Sequence, residues 1–295
     1  MIATLRKSIN SLKKDREHGA GWLTLQALEI LREAASLEQA ADADKLLASL
    51  GSVIAALSEA RPSMVSIANY SLYYRDELAS AASTSRSPQR LRKAAYSIAD
   101  RLIKFHQKST AAAARNAARL ISGRSIVMTC SYSSAVCAAL ELAKCGGRDF
   151  KVLAVDSRFK KISYGELTLQ RLEQCGISGK IVPDSQVSWQ AARADLVLCG
   201  ADSISLHGWL INGSPSLMLA QVARRKGRPF YAVCEISKID ARGLTAGLRE
   251  TDPGFDLLPL ELLSGLVTER GTMQPAEVYK LTIEDLIRSM GERPR

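Results

Sequence analysis

SIVMTCSY (125–132), KVLAVDS (151–157), GKIVPDS (179–185), ADLVLCGADSIS (194–205) and PFYAVCEIS (229–237) are short apolar runs rich in Val and Ile. Between them stand helical stretches such as SSAVCAALELAKCG (133–146), YGELTLQRLEQCG (164–176) and SLMLAQVARRKG (216–227), and each of these closes on glycine, a good helix stop. Strands alternating with helices of this length predict βαβ units and a mainly parallel, Rossmann-like sheet covered by helices on both faces. Upstream the pattern differs. In WLTLQALEILREAASL (22–37) and KLLASLGSVIAALSEA (45–60) the apolar residues recur at three and four, with no alternating run of strand length. Arg61-Pro62 interrupts that pattern, because proline lacks the N–H a helix interior needs. ASTSRSPQR (82–90) reads as a loop feeding another helix, with Pro88 at its start. The organisation expected is a helical N-terminal domain over 1–122 and an α/β domain over 123–295.

The composition agrees with a folded, non-membrane chain. Of 295 residues 46% are hydrophobic and 24% charged. No uninterrupted apolar stretch reaches the length of about 18 residues that a membrane helix needs. The charged N-terminus has no apolar core behind it, which argues against a secretory signal, so a cytoplasmic protein is expected. The six cysteines form no Cys-x-x-Cys pair and mostly sit among apolar residues, as reduced thiols acting as small hydrophobes do. With three histidines, none at ligand spacing from a cysteine, no metal site is expected. Net charge is +10, and between Arg86 and Arg124 ten Lys/Arg face a single acid, Asp100. That segment is either a solvated helix face or a surface for an anionic ligand such as phosphate or nucleic acid. Tyr96 and Phe105 are its only aromatic residues, few for a single-strand stacking platform.

In open parallel sheets ligands bind beyond the carboxyl ends of the strands. That rule points to Thr129–Ser134, Asp156–Arg158, Gly200–Ser203 and the stretch around Glu235–Lys238. Any one strand-end polar group can be a helix cap; four ends converging on one crevice suggest a site. No dinucleotide or phosphate-loop glycine motif and no Gly-x-Ser-x-Gly elbow occurs, so no nucleotide cofactor and no hydrolase triad is implied. The remaining Cys/Ser, Asp, Arg and Lys suit an anionic, polyhydroxylated ligand, with guanidinium forks on phosphate and Asp or Asn on hydroxyls.

The order MTCSYSS, VDSR, CGADSI, CEISKID and the closing DPGFDLLPLELLSGLVTERGTMQPAEV resembles the initiation factor 2B α/β/δ family. That family also includes isomerases of methylthioribose 1-phosphate and ribose 1,5-bisphosphate. Gly19-Ala20-Gly21 after His18 is similar to the family's Arg-Gly-Ala-Gly turn, and Arg61-Pro62 to its Thr-Arg-Pro. The resemblance implies catalytic positions at Asp202 and Ser131, the latter standing where the isomerases carry a cysteine, with Cys130 at the preceding histidine position. It implies ligand contacts from His18, Gly19, Ala20, Gly21, Arg61, Tyr132, Ser133, Arg158, Asn212, Gly213 and Lys238; Gly213 stands where the isomerases carry a lysine. A serine hydroxyl is no base at neutral pH without an activating partner, whereas a tuned thiol is. The chain therefore looks closer to the family's non-catalytic branch. The expectation is a regulatory or binding subunit holding a phosphorylated sugar or nucleoside monophosphate, with a translation initiation factor as partner. The alternative is an aldose–ketose isomerase of a ribose phosphate. The apolar stretch LLPLELLSGLV (257–267) adds the expectation of a homodimer or higher oligomer.

Overall fold

The computed structural model describes residues 3–245 and 253–291. Five helices open the chain: α1 (Ala3–Lys14), α2 (Ala20–Leu37), α3 (Ala43–Ser58), α4 (Val65–Thr84) and α5 (Pro88–Ala118). Side-chain caps set two of the starts, since Asp42 accepts from the Lys45 N–H and Ser87 from the Arg90 N–H, with Pro88 following.

The α/β part runs β1 (Ile126–Cys130), α6 (Ser134–Cys145), β2 (Lys151–Val155), the two-residue strands β3 (Arg158–Phe159) and β4 (Ile162–Ser163), α7 (Tyr164–Glu173) and β5 (Gly179–Val182). It continues with α8 (Val187–Gln190), β6 (Leu196–Cys199), β7 (Ser203–Ser205), β8 (Trp209–Gly213), α9 (Ser216–Arg225), β9 (Phe230–Val233) and β10 (Ile239–Asp240). It ends with β11 (Phe255–Pro259), β12 (Gly265–Thr268), β13 (Gly271–Met273), α10 (Pro275–Val278) and α11 (Ile283–Gly291).

The main sheet has the order β13-β12-β9-β6-β1-β2-β5 and is parallel except for the β12–β13 hairpin. Its faces alternate residue by residue, as a period of two requires. Val127, Val152, Ala154, Leu196 and Leu198 pack with α6, α7 and the C-terminal half of α5. Met128, Cys130, Val155, Val197 and Cys199 pack on the other side with α8 and α9, in a core continuous with that of the N-terminal helices. Helices thus cover both faces, as the strand–helix alternation predicts.

Chain order reverses direction between β1 and β6: β2 and β5 extend one way, β9, β12 and β13 the other. The crevice at such a switch opens at the carboxyl ends of those two strands. A second sheet of order β10-β7-β8-β11, not foreseen from sequence, is built from residues that follow β6 and β9. Leu258, Leu260, Leu263 and Leu266 of the apolar stretch 257–267 are buried in this chain's own core, while Leu257 and Leu262 are half-buried.

Candidate functional site

A narrow cleft lies at the switch point, lined by Arg16, His18, Gly19, Arg61, Met64, Ser131, Tyr132, Phe159, Tyr164, Asp202, Gly213 and residues 253–255. Three segments distant in sequence meet there. The first is the α1–α2 turn. Asp15 organises it: its carboxylate accepts the backbone N–H of Glu17 (3.0 Å) and His18 (2.9 Å) and pairs with the His18 ring at 2.8 Å, and its carbonyl accepts Arg16 Nη1 (2.8 Å) and Arg61 Nη1 (2.6 Å). His18 stacks on Trp22 with ring centres 3.8 Å apart. Gly19 then starts α2 in an extended conformation with no side-chain cap, so the first N–H groups of α2 keep the partial positive charge of a helix start beside two guanidinium groups. This turn sits close on the second segment: a Cβ on Gly19 would be 3.4 Å from the Tyr132 carbonyl, and one on Gly21 3.4 Å from Ser134 Oγ.

The second segment is the turn after β1. Cys130 and Ser131 are adjacent yet differ completely in setting. Cys130 is fully buried in the apolar layer under α8 and α9, and burial raises its thiol far above the ordinary range. Ser131 adopts a left-handed φ of 59°, its N–H donates to Ser157 Oγ at 2.8 Å, and it lines the cleft. Ser133 caps α6 through its hydroxyl, accepting from the Val136 N–H at 3.3 Å, and Tyr132 takes a long bond from Arg171.

The third segment is the end of β6 and the β7–β8 hairpin that follows it. Asp202 follows β6 and donates its N–H to the Ile211 carbonyl at 2.8 Å. Ser203 Oγ donates to the Ser63 carbonyl (2.8 Å) and accepts the Val65 N–H (2.9 Å), which holds the Arg61–Met64 turn over the strand end and brings Arg61 to Asp202. Burial lifts the Asp202 carboxyl to about 6, against the pull of Lys238 and Arg61. Asn212, one pair from the end of β8, is buried with Nδ2 unpartnered, close to Gly200.

Lys238 belongs to a buried layer beneath the cleft. Its Nζ lies 3.5 Å from Glu235 Oε2. Burial disfavours the Lys238 charge, but Glu235 and Asp202 outweigh it and raise its pKa. Burial also opposes Glu235 ionisation; attraction to Lys238 overcomes it, with His106 and the Thr110 hydroxyl (2.5 Å) assisting, and the carboxyl falls to about 2. Burial instead lifts Glu269 to about 7, although it accepts the Ile236 N–H at 3.0 Å. Asn69 Nδ2 donates to the Ser237 and Ile239 carbonyls, both at 2.9 Å, and so fixes this layer to α4. Among the described residues no group of three metal-ligating side chains occurs, and no helix is long and apolar enough to cross a membrane.

His18, Gly19, Arg61, Ser131, Tyr132, Asp202 and Gly213 therefore line one cleft, while Ala20, Gly21, Ser133, Asn212 and Lys238 support its walls. Arg158 and Cys130 do not line it. Arg158 is half exposed on β3 and bonded to Asp156 (3.0 Å) and Glu166 (3.3 Å); Phe159, the next residue, takes the lining position. Asp15, Arg16 and Tyr164, whose hydroxyl donates to the Arg16 carbonyl at 2.7 Å, were not singled out from sequence. The signal for the first two was the charged run DREHGAG at a helix break.

The sequence matches the model of the initiation factor 2 subunit family over residues 16–247. The chain belongs to that family. An eIF-2B subunit 2-like protein of Pyrococcus furiosus is 26% identical over 282 residues, covering 91% of this chain and 96% of the relative. Ribose 1,5-bisphosphate isomerase of Haloferax volcanii is 24% identical over 303 residues, covering 95% and 92%. The tetrameric eIF2B-beta2-delta2 complex from C. thermophilum contains a chain of the same fold, with a TM-score of 0.79 at 20% identity over 94% of this chain and 93% of that one. The family thus includes both a translation-factor and an isomerase branch among this chain's relatives.

Proposed function

We propose that this initiation factor 2 family member is a binding subunit whose cleft holds a phosphorylated sugar or nucleoside monophosphate and performs no isomerisation. The observation that carries the reading is the arrangement after β1. A hydroxyl, Ser131, occupies the cleft position, and the neighbouring thiol of Cys130 faces the opposite side of the sheet in an apolar layer. Asp202 is left as the one acidic side chain among the residues lining the cleft, with no tuned thiol to share proton transfer. The lining offers groups for such a ligand: Arg16, Arg61, His18 and the uncapped start of α2 suit a phosphate, and Asp202 and Tyr164 suit hydroxyls.

The alternative, an aldose–ketose isomerase of a ribose phosphate, draws on one feature. An Asp202 carboxyl near 6 is matched to general-base work at neutral pH. Assembly into a homodimer or larger oligomer, with a translation initiation factor as partner, belongs to the binding-subunit reading; the tetrameric relative and the exposed Trp209, Tyr279 and Ile283 support it.

Mass spectrometry of small molecules released from the natively purified protein, followed by calorimetry with a panel of sugar phosphates and nucleoside monophosphates, tests the reading. Saturable binding lost on Arg16→Ala supports it. A panel that binds nowhere, or binds equally to the variant, overturns it. Light scattering tests the assembly, which a monomer at micromolar concentration contradicts.

A further inference from the structure

Helix α5 has 31 residues and spans about 46 Å. Its inner side, including Leu91, Ala95, Ile98 and Leu102, is buried. One strip of its outer side is cationic: Arg90, Lys93, Arg101, Lys104, Lys108 and Arg115 are all exposed, Arg119 continues the row at the C-cap, and the exposed Gln89, Tyr96 and Gln107 lie beside the strip. At about 100° per residue these cations fall within an arc of roughly 80°, so they form one straight row, not a scattered charge. No Asp or Glu shares the arc. Asp100 stands at its border, bonded to Lys104 at 2.6 Å, and Glu77 of α4 reaches Arg101 at 2.7 Å. Among the described residues Arg90, Lys93, Lys108, Arg115 and Arg119 have no carboxylate within ion-pair distance.

We propose that this row is a sequence-independent binding surface for the phosphate backbone of duplex nucleic acid. The positions interleaved on the arc are small, Ser97 and Ala111. A protein partner would need apolar or aromatic anchors at the centre of its contact, and the row has none. A phosphate backbone needs only charge at intervals. From Lys93 to Arg119 the row covers about 39 Å, a little more than one turn of a DNA duplex. No Asn or Gln stands within the arc to read base edges, which makes the contact one of backbone alone. The surface is separate from the cleft, and its test does not depend on what the cleft holds.

Fluorescence anisotropy of the full chain with a DNA duplex and an RNA duplex of unrelated sequence tests the proposal across a salt series. Five phosphate contacts give a slope of about −4.5 in log K against log salt for DNA, roughly 500-fold weaker binding at 200 mM than at 50 mM. The combined variant Lys93→Gln, Lys108→Gln, Arg115→Gln and Arg119→Gln flattens the slope by about 3.6. A charge-matched control, Lys7→Gln, Lys151→Gln, Lys180→Gln and Lys226→Gln, leaves it in place. All eight side chains are exposed, and an unchanged circular dichroism melt shows that both variants fold. The relative affinities of the two duplexes identify the preferred source. No duplex binding at low salt, an equal loss in the row variant and the control, or row-dependent binding of polyglutamate or phosphatidylserine vesicles without duplex binding each overturns the proposal.

Discussion

The Ser131 hydroxyl occupies the space that a side chain on residue 213 would need. A Cβ built on Gly213 falls 2.9 Å from the Ser131 Cβ and closer still to its Oγ, under the distance real Cβ atoms tolerate. Ser131 is itself held at φ 59°, so the turn after β1 and the end of β8 fit only because one of the two residues is a glycine. Positions 131 and 213, where the resemblance implies a cysteine and a lysine in the isomerases, are thus in direct contact in this chain. Gly213→Ala should cost about 1–3 kcal/mol by overpacking, and much of that cost should vanish in a Ser131→Gly background. A double-mutant cycle by urea denaturation measures the coupling; strict additivity would mean that the contact is not shared.

The same contact bears on attempts to install isomerase chemistry. Ser131→Cys together with Gly213→Lys should lose stability relative to either single change, because the larger sulfur and a new side chain compete for one space. Thermal melts of the three variants check the order.

Ligand affinity should separate Arg16, which lines the cleft, from Arg158, which does not. Arg16→Ala removes a guanidinium from the cleft lining and should weaken a phosphorylated ligand by about tenfold or more. Arg158→Ala, whose partners Asp156 and Glu166 lie outside the cleft, should change both affinity and stability little, because its ion pairs are solvent-screened. Calorimetry on both variants decides; a large loss for Arg158→Ala alone would move the site.

Stability should depend on pH through Asp202. Its folded pKa of about 6 lies above the unfolded value, so the folded state binds more protons between about pH 4 and 6 and this group's contribution falls as pH rises through that window. Glu269, lifted to about 7, acts in the same direction over a slightly higher range. Asp202→Asn should reduce the slope and raise stability at neutral pH by up to about 3 kcal/mol. Denaturation midpoints across the range check it, and an unchanged slope would show that Asp202 is not desolvated.

Lys238→Met should be among the most damaging single changes, because it leaves the Glu235 carboxylate buried without its ion pair. The expected loss is about 3–5 kcal/mol, with most of it recovered by adding Glu235→Gln. Chemical denaturation of the single and double variants measures both.

The helical opening, the alternating strands and the polar ends of β1 and β6 were legible in the sequence, because long amphipathic periods and apolar runs of Val and Ile are local signals. The second sheet was not. SIS (203–205) and WLING (209–213) are short and mixed in polarity; they pair with each other and with β10 and β11, more than thirty and forty residues away. Motif order names Arg61 and Asp202 together, and both line the cleft, but the Ser203–Ser63 bond that joins their segments spans 140 residues and leaves no local trace. Arg158 shows the opposite error: a strand-end position was right for the segment, but the side chain folds back onto Asp156 and Phe159 takes the cleft. The sequence also left open which of Cys130 and Ser131 faces the site: Cys130, the last residue of β1, packs in the apolar layer, and Ser131, in the left-handed turn that follows, lines the cleft.

Phosphorus NMR of the unmodified protein with ribose 1,5-bisphosphate tests the central claim most directly. The account predicts ligand resonances shifted or broadened by binding, with no conversion to the ketose beyond the protein-free control. Turnover that disappears in Asp202→Asn would contradict it and make the cleft an isomerase site.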